Sequence, residues 1–191
     1  MIFLSASIPD AKRDPKYFNT ADIVAIRDAV RALATVVIPR TQLIWGGHPA
    51  ITPLIRHVMQ TMKSDVNEHV TLYQSEYFRL HFPQENKYIE KIIFTDARPT
   101  LEESLLIMRQ EMLQKEHEFK VGIFIGGMGG VEKEFRLFRE LHPTAHILPV
   151  ASTGAAARII YDNFEQKPNR RLLTDYAYMA LFKELLNEYL Q

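Results

Sequence analysis

Short apolar runs alternate along this chain with longer stretches of helical spacing, and that alternation limits the folds open to it more than any other feature. Ile2-Phe3-Leu4 reads as a buried strand. Thr20 stands where a helix cap would, ahead of Ile23, Ile26, Val30, Leu33 and Val37 at helical spacing, until Pro39 stops the run. Leu43-Ile44-Trp45 is a second strand, and after Gly46-Gly47 the residues Pro49 and Pro53 suit the first turn of a helix carrying Ile51, Leu54, Val58 and Met62. Val70 to Tyr73 and Ile92-Ile93-Phe94 are the third and fourth strands. Between them, Glu76 to Lys91 is irregular and aromatic, with Tyr77, Phe78, Phe82 and Tyr88 around Pro83, and has the character of a lid. Thr100 with Glu103 makes a capping box for a helix using Leu101, Leu105, Met108 and Met112. A strand from Val121 to Ile125, a helix from Val131, a strand from Ile147 to Val150 and helices at Ala155 to Phe164 and Asp175 to Leu190 complete the pattern.

Strands separated by single helices need crossover connections, and crossovers give a parallel sheet with helices on both faces. The expected architecture is therefore α/β, a Rossmann-like three-layer sandwich with a mainly parallel sheet. No linker, repeat or low-complexity stretch interrupts the 191 residues, so residues 1–191 are expected to form a single domain. Twenty-three basic side chains balance 23 acidic ones, and no segment gathers five or six like charges. That distribution argues against nucleic-acid or membrane partners and for a small molecule or a protein. The absence of cysteine excludes disulfides, thiolate metal sites and cysteine nucleophiles, and fits a reducing compartment. The opening apolar run is too short for a signal peptide and no run approaches the roughly 18 residues needed to span a bilayer, so a cytoplasmic protein is expected.

Seven of the eight glycines fall where a strand hands over to a helix: Gly46 and Gly47, then Gly126, Gly127, Gly129 and Gly130, then Gly154. Gly122 alone lies inside a strand. In a parallel sheet such junctions line the carboxyl edge, where ligands bind. Backbone N–H groups at a helix start there can receive an anion, although any β-to-α turn also has structural uses for glycine. No Gly-Lys-Ser/Thr follows the glycine loop and the dinucleotide fingerprint is missing after the first strand, which excludes ordinary NTPase and dehydrogenase readings.

The run Ile125-Gly126-Gly127-Met128-Gly129-Gly130-Val131-Glu132-Lys133-Glu134 resembles the Pro-Gly-Gly-x-Gly-Thr-x-x-Glu signature of the SLOG superfamily of Rossmannoid domains. That superfamily includes the lonely-guy phosphoribohydrolases and DNA-processing-A-like proteins. Gly46-Gly47 is similar to its first glycine motif, Ser152-Thr153-Gly154 lies where a late ligand-binding loop would fall, and Met108-Arg109-Gln110 loosely resembles its Met-x-x-Arg-Lys helix. The resemblance implies a ligand-binding set of Gly46, Gly47, Gly126, Gly127, Met128, Gly129, Gly130, Ser152, Thr153 and Gly154, and a catalytic role for Arg109. It implies a nucleotide or nucleotide-derived ligand of the NAD or ADP-ribose type, no cofactor, and either a conflict-system sensor with a possible effector partner or an N-glycosidic-bond hydrolase. The chain departs from the enzyme signature at Ile125, Gly130 and Lys133, the last standing in place of the signature Glu.

A carboxylate count partly restores the chemistry. On a helix from Val131, a 100° step groups Val131, Phe135, Leu137, Phe138 and Leu141 on one face with Glu134 among them, while Glu132 and Lys133 point away. Glu134 could steady a ribosyl centre or bond a ribose hydroxyl, or serve only as a first-turn carboxylate against the helix dipole. Ser5 and Ser7, after the first strand, are candidate phosphate donors or ordinary turn residues. Asp96 and Arg98 read equally as surface chemistry. The histidines show no metal spacing, so no metal is expected, and His48, His57, His69 and His81 read as structural. Trp45 reads as core with some chance of lining a pocket. Finally, Tyr178, Leu181, Phe182, Leu185 and Tyr189 form a helical stripe widened by Met179, Leu186 and Leu190, from which a homodimer through this helix is expected.

Overall fold

The computed structural model describes residues 1–62 and 66–190. In chain order the elements are β1 (Ile2–Ser7), α1 (Pro15–Phe18), α2 (Ile23–Val37), β2 (Leu43–Gly46), α3 (Thr52–Thr61), β3 (Val70–Ser75), β4 (Ile92–Thr95), α4 (Leu101–Met112), β5 (Val121–Gly126), α5 (Gly129–Leu141), β6 (His146–Val150), α6 (Ala155–Asp162), α7 (Arg171–Thr174) and α8 (Tyr178–Leu185). All six strands are parallel, in the order β4-β3-β2-β1-β5-β6. The fold is the expected α/β sandwich with a Rossmann-like parallel sheet.

Alternate residues of the central strands feed two separate cores, as period-two side chains must. Ile2, Leu4, Leu43, Trp45, Ile123 and Ile125 pack with α2, α3 and α8 on one face. Phe3, Ile44, Tyr73 and Phe124 pack with α4, α5 and α6 on the other. Gly122 is explained here: a Cβ would fall 2.6 Å from the Phe138 ring, which packs directly against β5 at this position. Trp45 belongs wholly to the first core, its indole N–H donating to Thr52 Oγ1 at 3.3 Å.

The chain walks outward from β1 through β2 and β3 to β4, then α4 carries it back and β5 pairs on the far side of β1. The connection leaving β1 runs over one face and that leaving β5 over the other, so a crevice opens between their carboxyl ends. β1 is longer than its apolar run suggests because pairing with β5 continues through Ser5, Ala6 and Ser7. Both serines are thus strand residues.

Three further boundaries differ from the sequence reading. Asp22, not Thr20, caps α2, accepting from the Ala25 N–H at 2.9 Å, while Thr20 Oγ1 accepts from the Ala155 N–H at the start of α6. The aromatic stretch after β3 winds into two 3-10 segments, Glu76–His81 and Gln84–Tyr88. The C-terminal helix is shorter than expected and begins at Tyr178, since Asp175 instead accepts from the Ala177 N–H and from Arg171. Leu181, Phe182 and Leu186 are fully buried, and Tyr178 and Leu190 nearly so, in the core that α8 shares with α2. Most of the apolar stripe is covered from within the chain, with Met179 exposed and Leu185 and Tyr189 half-buried.

Candidate functional site

A cavity of about 820 Å³ sits over the crevice. Its floor is the ends of β1 and β2, with Leu4, Ala6, Ser7, Gly46 and Gly47. One wall is the start of α5 with Met128, Gly129, Gly130 and Glu134, and beside it α4 contributes Met108 and Arg109. The rim carries Arg13, Asp14 and Tyr17 from the segment after β1, His48 after β2, and Tyr77, Phe78 and His81 from the aromatic stretch.

Arg109 of α4 and Glu134 of α5 meet in this wall. Arg109 Nε donates to Glu134 Oε1 at 3.3 Å and Ser5 Oγ donates to Glu134 Oε2 at 2.6 Å, with both ionic side chains largely buried. Burial raises the strength of such a pair and also the penalty for breaking it. The topology explains the meeting: α4 returns over β3 and β2 to reach β5, and so lies alongside α5. Glu132, expected to point away, is also held: Tyr17 Oη donates to its Oε1 at 2.6 Å. Burial and that bond push the Tyr17 pKa up to about 12, so the phenol stays a donor. Lys133 pairs with Glu102 across the mouth of the cavity.

The glycine loop divides by role. Gly126 and Gly127 have φ of 55° and 86°, and their amides are already used, donating to Thr153 Oγ1 at 2.9 Å and the Ser7 carbonyl at 2.8 Å. A Cβ at Gly127 would fall 2.3 Å from Val131, so this glycine serves the turn and helix packing rather than ligand approach. Gly129 and Gly130 open α5, where the first helical N–H groups have no acceptor within the helix, and they line the cavity. A Cβ at Gly130 would stand 3.3 Å from the Arg109 guanidinium.

Ser152, Thr153 and Gly154 do not reach the cavity. Ser152 Oγ shares a hydrogen bond of 3.0 Å with Tyr178 Oη, Thr153 Oγ1 donates to the Val150 carbonyl, and a Cβ at Gly154 would strike the Thr20 carbonyl. Together with the Ala156 N–H, which donates to the Gly127 carbonyl at 3.2 Å, they brace the glycine loop from behind. Ser5 likewise acts through Glu134, whereas Ser7 faces the cavity.

His48 is a site residue that its sequence context hides. Its Nδ1 accepts from the Ala50 N–H at 3.2 Å, which leaves the ring proton on Nε2. Burial and then the neighbouring Arg13 push its pKa down to about 4. Gln74 is the other omission, a buried amide that no motif marks. Among the described residues no group of His, Asp and Glu is placed to hold a metal ion, and no helix is long and apolar enough to cross a membrane.

Residues 16–186 match the family model of the SLOG cluster3 family, a span that includes the whole glycine loop and its bracing segments. The chain belongs to the SLOG cluster3 family. Its fold is shared with TM1055, a structural-genomics target solved by X-ray crystallography, at a TM-score of 0.55 and 14% identity, over 90% of this chain and 87% of that one. At that identity the likeness speaks for the fold alone. No curated protein matches the chain. Within the matched span, Met128, Gly129 and Gly130 of the glycine loop line the cavity.

Proposed function

We propose that this SLOG chain binds a nucleotide-derived ligand of the NAD or ADP-ribose type at the carboxyl edge of its sheet, as a sensor domain that reports occupancy to an effector protein. The observation that carries this reading is the state of Glu134. Both its oxygens are taken, by Ser5 and Arg109, so the carboxylate forms part of a fixed polar wall rather than an unengaged nucleophile or base. A cavity of about 820 Å³ lies in the range of small-molecule sites and has apolar, aromatic and ionic portions to match the parts of a nucleotide. Calorimetry with ADP-ribose, cyclic ADP-ribose isomers, NAD and AMP tests it, followed by chromatography of the same mixtures. Binding with the ligand recovered intact is the expected result; absence of binding by all of them removes the reading. The same reading takes the working form as a homodimer, since the SLOG enzymes that the chain resembles tend to be dimers.

A second reading, N-glycosidic-bond hydrolysis or ribosyl transfer, draws on the direct contact of Arg109 with Glu134 in the cavity wall. There Glu134 would offset positive charge developing on a ribosyl carbon, and Arg109 would hold the carboxylate in place. Chromatography then shows free base, and Glu134→Gln lowers its production at least about a hundredfold while affinity stays within an order of magnitude. Loss of affinity without any product makes Glu134 a ribose contact.

A further inference from the structure

The two ends of the cavity differ in kind. The end beside β5 carries Arg109, Glu134 and the start of α5, suited to ribose and phosphate. The end beside β2 and β3 carries Gly47, Gln74, Tyr77, Phe78 and Pro83, with flat rings and a carboxamide, and the imidazoles of His48 and His81 on its rim. Base stacking needs rings, and base recognition needs a planar donor-acceptor pair.

Gln74, the fifth residue of β3, is 3% exposed and lines the cavity. Its Oε1 accepts from Asn86 Nδ2 at 3.3 Å. No described residue pairs with its Nε2. The carboxamide lies directly against the backbone just past β2: a Cβ on Gly47 would fall 1.8 Å from Oε1, so glycine at 47 leaves the room that this amide fills. Asn86 is itself buried, and its Oδ1 has no hydrogen-bond partner. An unsatisfied buried acceptor beside a site is a positioning expense, and here it secures one bond, the one that orients Gln74.

We propose that Gln74, oriented by Asn86, is the residue that reads the base of the bound nucleotide, and that it selects a 6-amino purine over a 6-oxo purine. The proposal rests on the nucleotide reading above and adds the recognising atoms. Oε1 keeps a second lone pair after accepting from Asn86, and Nε2 keeps its donors. One acceptor and one donor in a plane match the amino group and adjacent ring nitrogen of adenine. A 6-oxo base presents an acceptor where the amino group donates, and the Asn86 bond opposes turning the carboxamide over. Tyr77 and Phe78 supply the faces on which the ring rests.

The test is calorimetry of the full chain with AMP against IMP, and with ADP-ribose against its hypoxanthine counterpart. Wild type is expected to favour the amino base by roughly tenfold or more. In Gln74→Met, which keeps the length and removes both polar atoms, the preference should fall towards unity while residual binding through the β5 end persists. Gln74→Glu, keeping acceptors and losing the donor, should also lose the preference; circular dichroism confirms that each variant is folded. Equal wild-type affinity for the two bases overturns the proposal and leaves nucleotide binding standing, as does a preference retained in both folded variants. Failure of wild type to bind any of these nucleotides overturns both.

Discussion

At Gly127 and Gly129 the same residue type answers two different physical demands. Gly127 has φ of 86° and no room for a Cβ, so Gly127→Val should lower the thermal midpoint markedly whether or not ligand is present. Gly129 has ordinary backbone and open space beyond it, the nearest atom to its ideal Cβ being Tyr17 Oη at 3.6 Å. Gly129→Val should therefore stay folded, with a midpoint within a few degrees of wild type, and lose nucleotide affinity at least about tenfold by calorimetry as its methyls enter the cavity. His48 gives a prediction in pH. The folded protein holds it neutral down to about pH 4, whereas the unfolded chain takes up a proton below about 6.5. Between those values the unfolded state binds more protons, so this contribution is complete above about pH 6.5 and is lost as pH falls towards 4. His48→Gln should flatten that slope by up to about 3 kcal/mol, read from urea unfolding at pH 7 and pH 4.5. Glu134 was legible because helical phase depends only on sequence spacing. The roles of Glu132, His48 and Ser152 were not, because Tyr17, Arg13 and Tyr178 reach them from distant segments.

Elements were easier to read in their existence than in their ends. The six strands and the capping box at Thr100 and Glu103 are local, and the structure contains them all. Ends depend on partners: β1 runs on to Ser7 because β5 offers pairing that far, and α8 starts late because Asp175 and Arg171 engage each other first. The cap of α2 shows the same competition. Thr20 satisfies a cap rule but is drawn to Ala155, 135 positions away, leaving Asp22 to accept from Ala25. Asp22→Ala should then destabilise the protein by about 1 kcal/mol in urea unfolding, the usual loss for a missing cap.

For the whole molecule, the covering of α8 by α2 changes what a charge on that helix would do. Leu181 is fully enclosed, so Leu181→Glu should destabilise the fold by more than about 3 kcal/mol, seen in thermal unfolding, instead of merely separating two copies. Light scattering of wild type at micromolar concentration reads the assembly directly, and the proposed homodimer gives twice the 22.2 kDa chain mass. The stripe on α8 was legible as apolar, but not what covers it, since α2 lies far off in sequence and burial against a distant helix looks the same as burial against a partner. The sheet order carries one more consequence, in time rather than space. β1 is central, yet Ile2 finds its partner Val121 only after more than a hundred further residues, so one side of β1 stays open until β5 has been made. Glu134 and the opening of α5 arrive later still. A ligand gripping both β1 and α5 would join an earlier-made and a later-made part of the sheet edge, and so bind only chains in which both are in place and slow their separation.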